Sequence, residues 1–347
     1  MAASLSTSES AFFGPVLLPR ARIASVGFSL PKKVIDNDYL ATLMSTSDDF
    51  IVTRTGLRER RHVTPSVPTS ELMVEAGARA IERARLSPAD IDLMIVSTLS
   101  PDHHDPSQAN LIQPKLGLRH IPCFDIRAQC SGFLYGIEIG AQYIQTRRCR
   151  NVLVISGEVL SKRMDCSNDG RNLAVLLADG AGAAVLQASN DVGVGLIDQV
   201  TGADGSHFRD LWTEAPGTAH ETFLPPELMT RGAHQFRMQG RQLFEHAVEA
   251  MVSCAKELLA RNHLSVSDLD LVIPHQPNPR ILERVNQLLE IPEGKLLMTN
   301  HLGNMGSASL PVVLGMSIDE GRVRPGTLCM LLAYGAGSTW SAAIHRF

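Results

Sequence analysis

Residues 86–95 read LSPADIDLMI and residues 264–273 read LSVSDLDLVI, one pattern written twice at a spacing of 178 residues. Each copy follows a stretch with helical periodicity, Ser70 to Ala84 in the first case and Gly240 to Asn262 in the second, and each ends in an apolar run of strand character. A second echo pairs ADGAGAAVL at 178–186 with YGAGSTWSA at 334–342, each read as a Gly-rich turn between apolar runs. Two echoes in the same order imply an internal duplication. The expected organisation is a flexible leader at 1–21, a first α/β half at 22–190 and a second at 191–347.

Working outward, apolar strand-like runs alternate with amphipathic stretches along the chain. Strands are expected at Ile23 to Val26, Leu93 to Val96, Asn151 to Ile155, Ala183 to Leu186, Leu271 to Ile273, Leu328 to Leu332 and Ser341 to Ile344. Further helices are expected at Ser131 to Thr146 and Pro279 to Leu289. The Gly, Pro, Thr and His content of 202–235 predicts a long irregular excursion. Alternating elements of this kind favour helices covering a buried sheet. If the halves pack across a pseudo-twofold axis, loops after equivalent strands converge, and functional residues come from both halves.

Composition narrows the function. The chain has 347 residues, 44% of them hydrophobic and 20% charged, which supports a large core. A net charge of −4 lacks the Lys/Arg excess that a nucleic-acid surface requires. Near the N-terminus, Pro15 and Pro19 interrupt the apolar residues Phe12, Phe13 and Val16 to Leu18. No segment approaches the ~20 apolar residues of a membrane span, so a soluble, cytoplasmic protein without an export signal is expected. The six cysteines form no CxxC pair, as expected for free thiols in a reducing compartment.

One cysteine stands apart. Cys130, in FDIRAQCSGFLYG, falls where an extended stretch gives way to a helix, and a helix N-terminus is expected to lower its pKa toward thiolate. Its alternative is a packing cysteine. His275, in the Pro-flanked loop after Leu271 to Ile273, is expected to be rigid and exposed, with an ordinary surface histidine as the alternative reading. Asn304 lies among small residues, and His301 competes for the same role. His103, His104 and Asp105 lack metal-ligand spacing, and no GxxxxGK[ST] loop is present. Neither a metal nor a nucleotide-phosphate site is expected.

Together these residues carry a resemblance. QCSGF around Cys130, HQPNPRI at 275–281 and HLGNMGSASLP at 301–311 are similar to the Cys-His-Asn triad of the β-ketoacyl-acyl-carrier-protein synthase III family. TSDDFIVTRTGLRER at 46–60, the MxGxxxF pattern from Met238 to Phe244 and the C-terminal GAGSTW extend the likeness over residues 22–347. It implies a thiolase-like five-layered αβαβα fold, built from two duplicated halves and assembled as a homodimer. It also implies that Cys130 is acylated by acyl-CoA and that a malonyl thioester, on acyl carrier protein or CoA, is then decarboxylated and condensed with the acyl group. His275 and Asn304 would hold the enolate, and the N–H groups of Cys130 and Ala336 the oxyanion. Phe50, Arg54, Arg171, Phe244 and Asn278 are assigned to CoA, Arg280 to carrier-protein docking and Asp105 to the acyl pocket. No cofactor is implied beyond the acyl-CoA substrate.

The sequence departs from that pattern at several positions. Phe50 stands where Trp is common, Glu245 where Lys is usual, Asp105 where an apolar side chain reaches into the partner's acyl pocket, and Tyr334 and Ala336 where Phe and Gly are usual. These changes suggest a specialised starter or extender and a docking surface less attractive to an acidic carrier. Alternatives that remain are a synthase III-like acyltransferase to an oxygen or nitrogen acceptor, a cysteine hydrolase and a non-enzymatic scaffold.

Overall fold

The computed structural model describes residues 18–347. Of the expected leader, residues 1–17 lie outside the described residues, and Ala21 already opens a strand. The first half contains β1 (Ala21–Ser29), β2 (Lys33–Asp36), α1 (Asn37–Leu43), α2 (Asp48–Thr55), β3 (Glu59–His62), α3 (Thr69–Arg83), β4 (Leu93–Ser97), α4 (Gln108–Lys115), β5 (Cys123–Ile126), α5 (Gly132–Gln145), β6 (Asn151–Val159), α6 (Arg171–Ala174) and β7 (Asp179–Ala188). The second contains β8 (Gly195–Ala203), β9 (Leu211–Thr213), α7 (Pro226–Thr230), β10 (Phe236–Met238), α8 (Gly240–Arg261), β11 (Leu271–Pro274), α9 (Pro279–Leu289), α10 (Ser309–Asp319), β12 (Leu328–Gly335) and β13 (Thr339–Arg346).

The duplication is written in the sheets. The first has strand order β1-β7-β6-β4-β5, and the second, read from its β8 edge, β8-β13-β12-β11. Matching pairs run in matching directions: β4 with β6 and β11 with β12 are parallel, while the β7 and β13 pairings are antiparallel. The echoed segments match in dihedral angles and hydrogen bonds. Arg85 and His263 both have positive φ (56° and 53°), each just before its repeat. The Ser87 and Ser265 N–H groups each donate to the carboxylate three residues on, Asp90 and Asp268, at 2.7 Å. Asp92 N then donates to Asn151 O, and Asp270 N to Leu328 O, both at 2.9 Å, setting the two parallel pairs in the same register. A reciprocal Ser-Asp cap of this kind satisfies donors that the short turn would otherwise orphan.

The second echo is of a different kind. Residues 336–338 do form a turn between β12 and β13, but GAG at 180–182 lies inside β7 and is buried in the sheet. The strand equivalent to β7 by position in the sheet is β13, which begins beyond the turn. Composition alone cannot separate a glycine needed for a turn from one needed for close packing.

Both sheets are buried on both faces, so their central strands read as unbroken apolar runs. Along β6, Val152 and Val154 face a central core shared with α5 and α10, while Leu153 and Ile155 face α3. Along β12, Cys329, Leu331 and Ala333 face the same central core, and Leu328, Met330 and Leu332 face α8 and α9. The layers are therefore outer helices, sheet, the α5 and α10 layer, sheet, outer helices, which is the αβαβα order. Helix α9 keeps its expected bounds, and the others expected in the sequence shift by a residue. Beyond the end of β8 at Ala203, the excursion from 202 to 235 contains a 3₁₀ turn at Gly205–Asp210, the three-residue β9 and the short α7. Short or polar elements leave little periodicity to read: β2, β3, β9 and β10 carry no strand expectation, nor does the longer, mixed β8, while β5 is the extended stretch expected before Cys130.

Candidate functional site

Three loops meet at the central layer. The first enters α5 through a tight turn, Gln129–Ser131, in which Gln129 has φ of 49°. Helix α5 begins at Gly132, so Cys130 precedes the helix proper. The second half stitches this elbow down: Thr339 Oγ1 donates to Ala128 O at 3.0 Å, and Ser131 Oγ donates to Thr339 O at 3.0 Å. A Cβ on Gly335 would stand 2.8 Å from Cys130 N and 3.0 Å from Ala128 O, so the end of β12 reaches the Cys130 loop only as glycine.

The second loop follows β11. His275 N donates to Leu332 O at 2.8 Å, continuing the parallel ladder by one residue. Gln276 holds the loop from below, donating to Pro274 O and Leu297 O and accepting from Thr299 N. The third loop carries Asn304. Its N–H donates to Leu176 O at 2.7 Å, its carbonyl accepts from Ala178 N at 2.9 Å, and its side-chain Oδ1 accepts from Gly306 N at 2.8 Å. With Oδ1 occupied, the carboxamide presents Nδ2, whose one recorded contact is a long 3.5 Å approach to Pro277 O.

A cavity of about 580 Å³ brings together Cys130, His275, Asn304 and Ala336, with Phe50, Arg54, Phe244, Asn278 and Arg280 also on its walls. Helix α2 places Phe50 and Arg54 one turn apart on one face. The Arg54 and Arg171 guanidiniums approach the Phe50 ring at 4.3 and 4.8 Å. Arg171 lies outside the cavity lining, donating to Ser45 O at 2.6 Å. Asn278 caps α9 through Arg280 N, and Arg280 itself donates to Thr53 O. Glu245 is paired with Arg241, one turn earlier, at 3.1 Å, and Arg241 also lines the cavity. Asp105 is exposed, away from the cavity of its own chain, and His301 does not line it. A larger cleft of about 770 Å³ between α3 and the β2–β3 pair holds none of these residues.

Electrostatics revise two expectations. Cys130 is half-buried in the cavity wall, and the desolvation of its sulfur pushes the thiol up to about 12; the charge of Glu158 adds to the rise, while hydrogen bonding from the Ala336 and Cys130 backbones acts against it. The expected helix-end depression is outweighed because the thiolate would sit in low dielectric beside the Glu158 charge. His275 is buried rather than exposed, at 1% of its full accessibility. Desolvation pulls its pKa down to about 3, and neither ring nitrogen has a hydrogen-bond partner. It is a neutral imidazole open to a ligand. Tyr334, another wall of the cavity, bonds its hydroxyl to Ser338 Oγ at 2.8 Å.

Sequence reasoning missed Glu158, although a lone acid in the apolar run of β6 was a visible signal. It also missed the cluster of His207, Asp210 and His246. There His246 Nδ1 is 2.5 Å from Asp210 Oδ2, and the two imidazoles stack at 3.6 Å between centroids, tilted by 31°. The short His246–Asp210 contact and the ring stacking make the cluster a hydrogen-bonded His-Asp pair with a stacked neighbour.

A thiol on an elbow from one half, facing an imidazole and a carboxamide from the other across the middle of an αβαβα body, defines a thiolase-fold condensing enzyme. Residues 124–205 match the family described as 3-oxoacyl-[acyl-carrier-protein (ACP)] synthase III, and residues 259–347 match its C-terminal counterpart. The chain is 39% identical to a β-ketoacyl-[acyl-carrier-protein] synthase III of Caldanaerobacter subterraneus, over 94% of this chain and 98% of that one. Its fold matches the crystal structure of the 3-oxoacyl-[acyl-carrier-protein] synthase III of Aquifex aeolicus with TM-score 0.86 and 35% identity, covering 94% and 100% of the two chains. A priming β-ketosynthase from the R1128 polyketide pathway matches with TM-score 0.86 and 30% identity, covering 96% and 98%. The chain belongs to the 3-oxoacyl-[acyl-carrier-protein] synthase III family.

Proposed function

We propose that the chain carries out the synthase III reaction, the decarboxylative condensation of a malonyl thioester with an acyl group held on Cys130. The observation that carries this reading is the shared cavity in which Cys130 faces a neutral, unpartnered His275 and an Asn304 whose carboxamide oxygen is already engaged.

In the first half-reaction Cys130 Sγ attacks the carbonyl carbon of an acyl-CoA and the CoA thiolate leaves. With the thiol pushed up to about 12, its proton departs as the bond forms and ends on the leaving CoA sulfur. In the second, a malonyl thioester loses carbon dioxide. His275 and Asn304 Nδ2 donate to the enolate oxygen, and the carbanion attacks the acyl-Cys carbonyl. The Cys130 and Ala336 N–H groups receive the oxyanion, which collapses to a 3-oxoacyl thioester and the free thiol. Neutral donors suit this step because they stabilise the enolate without quenching it by protonation.

Phe50, Arg54, Arg171, Phe244 and Asn278 are proposed to hold CoA, with Arg280 and Arg241 meeting an acidic carrier protein beside them. Arg241 offsets Glu245 at that mouth. Asp105 is proposed to enter the acyl pocket of a partner subunit in a homodimer, where a carboxylate disfavours a long alkyl starter. The enzyme is proposed to work in the cytoplasm, with acyl-CoA as substrate and no cofactor. Acyl transfer to an oxygen or nitrogen acceptor is the less favoured reading, since it leaves Asn304 without a task. Incubation with a panel of acyl-CoAs, followed by intact mass and by carbon dioxide release from malonyl thioesters, tests the proposal. An acyl adduct on Cys130 with decarboxylation is expected, and an adduct without any decarboxylation would overturn condensation.

A further inference from the structure

Glu158 is a carboxylate buried beneath the site that the reaction scheme leaves unused. It is fully buried on β6, and four donors converge on it: Ser100 Oγ at 2.6 Å, Ser307 Oγ at 2.9 Å, Leu99 N at 3.1 Å and Thr98 Oγ1 at 3.3 Å. Three come from the loop after β4 in the first half. Ser307 comes from the second half, three residues beyond Asn304. The carboxylate is thus a clasp between the halves at the level of the chemistry.

Its connections lead to two members of the triad. Gly306, whose N–H holds Asn304 Oδ1, has φ of 53°, and a Cβ there would stand 3.1 Å from Glu158 Cγ. The Asn304 turn therefore rests on Glu158 directly and through Ser307. Toward Cys130, a Cβ on Gly132 at the start of α5 would meet Ser307 Cβ at 3.6 Å, so Ser307 packs beneath the elbow. Thr98, Leu99 and Ser100 give Glu158 no charged neighbour. The charged and titratable groups that do face it are Cys130 and Arg163, whose guanidinium donates to Leu99 O at 3.0 Å.

We propose that Glu158 is a positioning residue, fixing the Asn304 carboxamide through Ser307 and Gly306 and setting the reactivity of Cys130 through its own charge. The Asn304 arm rests on the condensing reading, whereas the Cys130 arm does not. Burial holds the carboxyl near 7 despite its four donors, so it changes charge in the working pH range. When ionised it opposes thiolate formation; when protonated it does not.

Glu158→Gln keeps the shape and removes the charge. The rate of iodoacetamide alkylation at Cys130, followed by peptide mass between pH 5.5 and about 10, is expected to carry an inflection near 7 in the parent protein. The variant should lose it and react ~3- to 10-fold faster above it, as removal of a nearby like charge predicts. Decarboxylation of malonyl-CoA is expected to fall at least ~10-fold in Glu158→Gln, whose amide presents donors to Ser307, and also in Ser307→Ala, which keeps the alkylation inflection. Superimposable alkylation profiles would overturn the charge coupling, and unchanged decarboxylation in both variants would overturn the positioning of Asn304. A parent protein that never decarboxylates while its alkylation responds to Glu158→Gln would fail the condensing reading and keep the Cys130 arm. If Glu158→Gln does not fold, the parent's own inflection decides that arm and Ser307→Ala the other.

Discussion

Gly335 and Cys130 belong to different halves of the duplicated chain, yet a Cβ on the one would lie 2.8 Å from the backbone nitrogen of the other. The contact is between backbones, so no side chain can swing aside to relieve it. Gly335→Ala is expected to push the end of β12 away from the elbow and spread the Cys130 and Ala336 N–H groups proposed to hold the oxyanion. Acylation of Cys130 by acyl-CoA, measured by intact mass, should slow by ~100-fold or more, the loss typical of a missing oxyanion donor. Acylation at the parent rate would show that Ala336 N–H is not part of the hole.

The triad roles separate by half-reaction. Cys130→Ala should form no acyl-enzyme while malonyl decarboxylation remains measurable. His275→Ala and Asn304→Ala should each lower decarboxylation by ~100- to 1,000-fold while an acyl adduct on Cys130 still forms. An acyl adduct on the Cys130→Ala protein would remove Cys130 from the mechanism.

Phe50 and its two guanidinium neighbours make a prediction about affinity. Phe50→Ala and Arg171→Ala should raise KM for acyl-CoA by ~2- to 10-fold with kcat nearly unchanged, the effect of losing one cation-π or stacking contact. Phe50→Trp should lower KM, since the larger ring offers more stacking area. A fall in kcat with unchanged KM would place Phe50 in the chemistry instead.

His345 ties folding to pH. It is buried on β13 and accepts a hydrogen bond from Ile23 N at 3.0 Å through Nε2, and desolvation pulls its pKa down to about 3 from 6.5. The native state binds this proton less readily than the unfolded chain does. Its contribution to stability is therefore fully present above pH 6.5 and lost progressively as pH falls toward 3. Between pH 7 and pH 5 the loss is about 2 kcal/mol. Urea unfolding at the two values should show a difference smaller by about this amount in His345→Gln than in the parent; an equal difference in both proteins would refute the linkage.

The architecture was legible because duplication leaves two records of one pattern. LSPADIDLMI and LSVSDLDLVI carry the same Ser-Asp cap and the same strand start, and either copy alone would have read as an ordinary loop and strand. Cys130, His275 and Asn304 stand out because glycines, prolines and small residues mark the turns that hold them, and the fold brings all three to one cavity. What the sequence hid was environment. Nothing in HQPNP distinguishes a surface histidine from one enclosed by β11, β12 and the loop around Gln276, because burial is set by distant segments. The same holds for Cys130, where depth in the cavity outweighs position at a helix entrance, and for Glu158, whose four donors come from two loops about 200 residues apart in sequence.

The chain passes from the first half to the second once, through the turn between β7 and β8, where Val192 is 85% exposed. Cleavage there would leave Cys130 on one fragment and His275, Asn304 and Ala336 on the other, each fragment carrying one of the two helices of the shared middle layer. Neither piece would hold a catalyst, and neither would have its central core covered. Activity should then return on mixing as a second-order process, so that the duplicated halves behave as a heterodimer whose subunits happen to be joined by a peptide bond.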